Sequence, residues 1–139
     1  MIVAIAGGPG AGKTTLGTAW ALRSGTELLS TDSLIHLGWS GASQAVAARM
    51  LTADGDLIVE GVAVARALRK ALAQTDGRPC DRLVLVLGRR PEAGRAKLGQ
   101  AAMAQGVMAV LDQILPELVA RGVAVEDPDG RPIRPRGRS

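Results

Sequence analysis

The sequence predicts a three-layer α/β domain built on a five-stranded parallel sheet. Three observations carry that expectation. Apolar runs of strand length recur along the chain, stretches of helical character separate them, and a glycine-rich turn joins the first run to the first helix. Apolar runs without polar alternation belong to strands covered on both faces, and such strands are linked by right-handed helical crossovers.

Ile2 to Ala6 is the first strand, followed by a helix from Lys13 to Arg23. Glu27 to Ser30 gives the second strand and Ser43 to Leu51 the second helix. Leu57 to Val59, a helix over Val62 to Gln74, Leu83 to Leu87, a long helix from about Gln100 to Arg121 and a last strand at Val123 to Val125 complete the alternation. Asp54-Gly55, then Asp76-Gly77 with Pro79, close two of the helices, and Gly122 stands where a C-terminal capping glycine belongs. Pro116 should kink or split the last helix, because it lacks an amide donor and crowds the preceding turn. From Asp127 onward, three prolines and two glycines among polar residues predict an extended or disordered tail. The expected division is a domain over residues 1–126 and a tail over 127–139.

A chain of 139 residues, 47% of them hydrophobic, supports one core and therefore one domain. No apolar run approaches the roughly 20 residues of a membrane-spanning helix, and no charged region precedes the first apolar stretch, so a cytoplasmic protein is expected. A single cysteine, Cys80, excludes an internal disulfide and a cysteine-only zinc site. The net charge of +4 is concentrated at one end, since Arg131, Arg134, Arg136 and Arg138 fall within the last nine residues. Without those four, bases and acids balance. The tail is thus either a solvated terminus or an attractor for a polyanion such as nucleic acid.

Gly7-Gly8-Pro9-Gly10-Ala11-Gly12-Lys13-Thr14 matches the phosphate-loop pattern G-x-x-x-x-G-K-[ST] at every fixed position, directly after a strand and before a helix. Glycines at such a turn let backbone amides wrap phosphate oxygens closely, and the helix N-terminus adds its positive dipole end. Gly8, Gly10, Ala11, Gly12, Lys13, Thr14 and Thr15 are therefore the expected nucleotide-binding residues. Lys13 is expected to bridge the β- and γ-phosphates of ATP, Thr14 to ligate Mg²⁺, and Thr15 to lie near the α-phosphate.

The rest of the chain discriminates among proteins that use this P-loop. No Asn-Lys-x-Asp guanine-reading sequence follows the fourth strand, which runs instead into Gly88-Arg89-Arg90-Pro91. The third strand ends in Val59-Glu60-Gly61, without the Asp-Glu pair of ATPase motors. Asp32, in Leu29-Ser30-Thr31-Asp32-Ser33, lies at the carboxyl end of the second strand, where parallel sheets form their ligand crevice. A carboxylate there can take the proton of an acceptor hydroxyl during phosphoryl transfer, or hold Mg²⁺ through water; as a structural alternative it caps a turn.

With its phosphate loop, Asp32-Ser33 after the second strand and Glu60-Gly61 after the third, the chain resembles the P-loop nucleoside and nucleotide kinase superfamily, especially its uridine-kinase-like branch. The resemblance covers about the first 65 residues. It implies that Asp32 is the catalytic base and that Glu60 sits near Mg²⁺ or the acceptor. The chain is shorter than that branch and lacks the Phe and Tyr that usually follow the Asp-Ser pair.

Arg89, Arg90, Arg95 and Lys97, interrupted by Pro91, Gly94 and Gly99, have the composition of a short arginine-bearing lid, with Arg90 or Arg95 stabilising charge on the transferring group. His36 and Trp39 follow Asp32 and are expected to border the acceptor, Trp39 as a surface on which a base stacks. Trp20, within the first helix, is expected in the core. Three functions fit: a kinase for a nucleoside-like or other small alcohol, a kinase for a hydroxyl on nucleic acid, and a nucleotide-dependent switch without transfer. Compactness, the arginine tail and lid, and Trp39 favour the second, with a hydroxymethylated base such as 5-hydroxymethyluracil in DNA as acceptor, flipped to reach Asp32. Small viral kinases of that kind are similar in outline.

Overall fold

The computed structural model describes residues 1–7, 13–86 and 98–133. Strands β1 (Ile2–Ala6), β2 (Glu27–Ser30), β3 (Leu57–Glu60), β4 (Arg82–Leu85) and β5 (Ala124–Glu126) alternate with helices α1 (Lys13–Ser24), α2 (Gly38–Leu51), α3 (Val64–Gln74) and α4 (Leu98–Ala120). A 3₁₀ segment, Thr31–Leu37, links β2 to α2. All pairings between these strands are parallel, in the order β2-β3-β1-β4-β5, so the expected five-stranded α/β sheet is the observed one.

Side-chain alternation divides the core in two. Ala4 and Ala6, Leu57 and Val59, and Leu83 and Leu85 face α2, α3 and α4 in the larger cluster. Val3, Ile5, Ile58 and Val84 face the other way, against Leu16, Trp20 and Ala21 of α1. Three helices thus cover one face and α1 the other. Trp20 is only partly buried, and the guanidinium of Arg82 lies 5.8 Å from its ring centroid. Arg82 also pairs with Glu126, so the β4–β5 edge of the α1 face is covered by side chains.

Several boundaries differ from the sequence expectation. α2 begins at Gly38, five residues early, because the 3₁₀ turn feeds directly into it through a glycine at φ +75°. α4 runs through Pro116 without splitting. Proline costs a helix one hydrogen bond and some crowding, and here burial of Val107, Val110, Leu111, Ile114, Leu115 and Leu118 at i, i+3 and i+4 spacing outweighs that loss. The same helix corrects the expectation of no long apolar run, since Ala102–Ala120 is long and apolar enough to cross a membrane by length and composition. Its buried stripe packs into the larger core cluster, and 33% of the stretch is buried.

The segment after β5 is not extended as far as it is described. Asp127 Oδ1 accepts from the amides of Asp129 and Arg131, both at 2.9 Å, and Ile133 N donates to Val125 O at 2.8 Å. Ile133 packs against the larger core, so residues 127–133 fold back on β5. Cys80 is buried beside β4, and burial pushes its thiol up to about 12, which keeps it protonated and unreactive at neutral pH.

Leu111→Ala, at a fully buried position of α4, is expected to lower the unfolding free energy by about 2–5 kcal/mol. Val119→Ala, on the exposed side of the same helix, should change it by less than about 0.5 kcal/mol. Urea denaturation of both variants checks the pair, and equal losses would contradict the burial pattern of α4.

Candidate functional site

In a parallel sheet the ligand crevice opens at the carboxyl ends of the strands, where successive connections leave on opposite faces. Here that point lies between β1 and β3. The connection leaving β1 passes over the α1 face, and the one leaving β3 runs through α3 on the opposite face. β1 and β3 are paired in register with Ile5 opposite Glu60, and β2 adds Ser30 opposite Glu60 on the other side. The exit of β1, Thr31-Asp32 and Glu60-Gly61 therefore lie on the same rim of the sheet.

Glu60 shares the parity of Ile58, so its side chain points to the α1 face, where it is 1% exposed. Lys13, the first residue of α1, is 6% exposed. Burial holds the Lys13 ammonium below the usual lysine range, while the carboxylates of Glu60 and then Asp32 pull it back up. Lys13, Glu60 and Asp32 are thereby brought into one electrostatic unit. Asp32 occupies the exposed mouth of this group.

Two glycines make the approach possible. A Cβ on Gly17, one turn beyond Lys13, would lie 3.1 Å from Leu28 Cδ1 and 3.4 Å from Glu60 Cγ. Gly61 has φ +133°, and a Cβ there would stand 1.8 Å from Thr31 Oγ1. Thr31 is 2% exposed, and its hydroxyl has no hydrogen-bond partner among the described residues. The exits of β2 and β3 are locked together through this contact, which sets Asp32 relative to Glu60. Sequence reasoning passed over Gly17 and Thr31; a glycine inside a helix pattern is a recognisable sign of close packing, whereas nothing in the sequence marks the threonine.

The remaining expected residues fall elsewhere or outside the description. Thr15 is exposed on α1, and His36 is exposed in the 3₁₀ segment. Gly8, Gly10, Ala11, Gly12, Arg90 and Arg95, with the rest of the lid, lie outside the described residues, as does the side chain of Thr14. Trp39, in the first turn of α2, borders a cavity of about 280 Å³ with Val62, Arg66, Ala102, Met103 and Val107. Val62 follows Gly61 directly, so this cavity lies beside the exit of β3. Among the described residues no three His, Cys, Asp or Glu side chains cluster as a metal cage. Asp32 and Glu60 offer two carboxylates, which fits Mg²⁺, an ion held by one or two carboxylates and completed by water and phosphate oxygens.

A scan against models of protein families finds no match, and neither does a search of curated proteins. Among solved structures, the shikimate kinase of Bacteroides thetaiotaomicron is similar at 15% identity and a TM-score of 0.45, over 93% of this chain and 86% of that one. The shikimate kinase of Acinetobacter baumannii in complex with shikimate is similar at 15% identity and a TM-score of 0.47, over 90% of this chain and 81% of that one. At these values no residue role carries over from either protein, and the site rests on this chain's own geometry.

Thr31→Val keeps the shape of the side chain and removes a buried hydroxyl that has no partner among the described residues, so stability should hold or rise by up to about 1 kcal/mol. Gly61→Ala should cost about 3 kcal/mol or more through strain and collision with Thr31. Thermal unfolding measures both, and a Gly61→Ala protein as stable as the parent would refute the lock.

Proposed function

We propose that this chain is an ATP-dependent kinase that transfers the γ-phosphoryl group to a hydroxyl of a small molecule. The observation that carries the reading is the convergence of Lys13, Glu60 and Asp32 at the β1–β3 rim, immediately behind a complete phosphate-loop sequence.

Each group has a part in this reading. Lys13 neutralises and positions the β- and γ-phosphates. Glu60 supports its protonated form against burial, so the ammonium is available where a charge is otherwise disfavoured. Asp32, exposed at the mouth, accepts the acceptor's hydroxyl proton as that oxygen bonds to the γ-phosphorus and the bond from this phosphorus to the bridging oxygen breaks, releasing ADP. Mg²⁺, held by Asp32 or Glu60 with the Thr14 hydroxyl, supplies charge neutralisation on the phosphates when bound. Arg90 or Arg95 is assigned to the charge that develops on the transferring group.

The small-molecule acceptor is supported by the cavity beside Trp39, whose roughly 280 Å³ is close to the lower end of the range that small ligands occupy. A second reading, a hydroxymethylated base in DNA, keeps the support of the C-terminal arginines and of Trp39, which is 37% exposed beside the crevice. The two are separated by incubation with γ-labelled ATP and Mg²⁺ against small alcohols, nucleosides and ordinary or hydroxymethylated DNA. Label is expected in small alcohols; label confined to hydroxymethylated DNA would establish the second reading. ATP hydrolysis with no acceptor labelled would favour a nucleotide switch.

Lys13→Ala is expected to reduce transfer by at least about 100-fold. Asp32→Asn should leave ATP affinity within about threefold and reduce transfer by about 10²–10⁴. Calorimetric ATP titration alongside the labelling assay checks this split, and full turnover in either variant would remove the site from the reaction.

A further inference from the structure

The cavity beside Trp39 has a lining of two kinds. Val62, Ala102, Met103 and Val107 form its apolar part, contributed by the exit of β3 and the early turns of α4. The rest of the lining is Trp39 and Arg66, and the Arg66 guanidinium carbon lies 5.8 Å from the centroid of the Trp39 ring. Nη2 of Arg66 also comes within 3.9 Å of the Cβ that Gly106 would carry, so the side chain, rooted on α3, reaches both Trp39 of α2 and Gly106 of α4. Among the described residues no carboxylate pairs with Arg66, as is also true of Arg23, Arg69 and Arg131, but of these only Arg66 lies against an indole ring.

A guanidinium held against an indole has its face occupied and its edge donors free. That edge is suited to two parallel hydrogen bonds to an oxyanion, and a neutral group cannot match the charge. Building the acceptor reading onto this geometry, we infer that Arg66 and Trp39 select the acceptor, which is a small alcohol carrying a carboxylate or phosphate on an apolar body. The oxyanion meets Arg66, the hydrocarbon lies along Val62, Met103 and Val107, and the hydroxyl is left to face Asp32. A neutral sugar or nucleoside fits poorly, because its hydroxyls would face the apolar wall and Arg66 would go unmatched. This inference rests on the kinase reading for its chemistry but not for its binding.

The chain contains two tryptophans and neither tyrosine nor phenylalanine, so Trp20→Phe leaves Trp39 as the sole strong fluorophore. In that background, without ATP, the probes are 4-(hydroxymethyl)benzoate, 4-(hydroxymethyl)phenyl phosphate and the neutral 4-(hydroxymethyl)benzamide. The two anions are expected to give saturable changes in Trp39 emission, with the amide at least tenfold weaker. Arg66→Gln should weaken the anions at least tenfold, and Arg66→Lys should restore part of the loss. Comparison of the two anions tells carboxylate from phosphate. Trp39→Phe, with Trp20 retained, should abolish the response and excludes a signal arising at Trp20.

Equal binding of acid and amide, or unchanged binding in Arg66→Gln, overturns the inference. The same compounds are then offered with γ-labelled ATP. If the acids bind through Arg66 but take no label, the pocket assignment stands and the kinase reading fails. If only hydroxymethylated DNA takes label and neither acid binds, the kinase reading stands and the small oxyanion is overturned.

Discussion

The site depends on a lysine that is buried next to a buried carboxylate. Placing an ammonium in the interior is costly, and Lys13 shows that cost in a basicity held below the normal range. Glu60 limits it, and Glu60 reaches α1 only because β3 ends two residues beyond Ile58, on the same parity, and because Gly17 leaves room above it. The register of β1 and β3 fixes where the pair sits. A one-residue slip would send Glu60 into the apolar face covered by α2, α3 and α4. Sheet register, a helical glycine and a buried charge are therefore one constraint viewed at three levels.

Around that pair the fold divides its tasks. The α1 face carries Lys13 at the start of a single helix, while the opposite face, with three helices, bears most of the core and frames the cavity beside Trp39. Asp32 belongs to the segment between them. Its position follows from the contact of Thr31 with Gly61, which ties the 3₁₀ segment to the exit of β3, with no hydrogen bond to the threonine hydroxyl among the described residues. Shape complementarity at a glycine with positive φ sets the carboxylate's place here.

Much of this was legible in the sequence, for identifiable reasons. β1 and β2 have the bounds their apolar runs predict, and the phosphate-loop spacing places Lys13 at the start of α1. Asp32 and Glu60 were visible because their positions at strand ends put them on the ligand rim. What was not legible depended on tertiary context. α4 passes through Pro116 because its buried stripe outweighs one lost hydrogen bond, and residues 127–133 turn back because Asp127 caps its own turn and Ile133 finds the core. Arg66 could not be singled out, since its significance lies in facing Trp39, which sits on a different helix and far from it in the sequence.

The central claim is that a nucleotide's phosphates bind against Lys13, with Asp32 facing them across the rim. The most direct measurement is a crystal structure with a non-hydrolysable ATP analogue and Mg²⁺. The account predicts the terminal phosphate within hydrogen-bonding distance of Lys13 Nζ, and the carboxylate of Asp32 open to the space in line beyond it. An analogue seated elsewhere on the molecule, or phosphates on the far side of the sheet from Asp32, would contradict it.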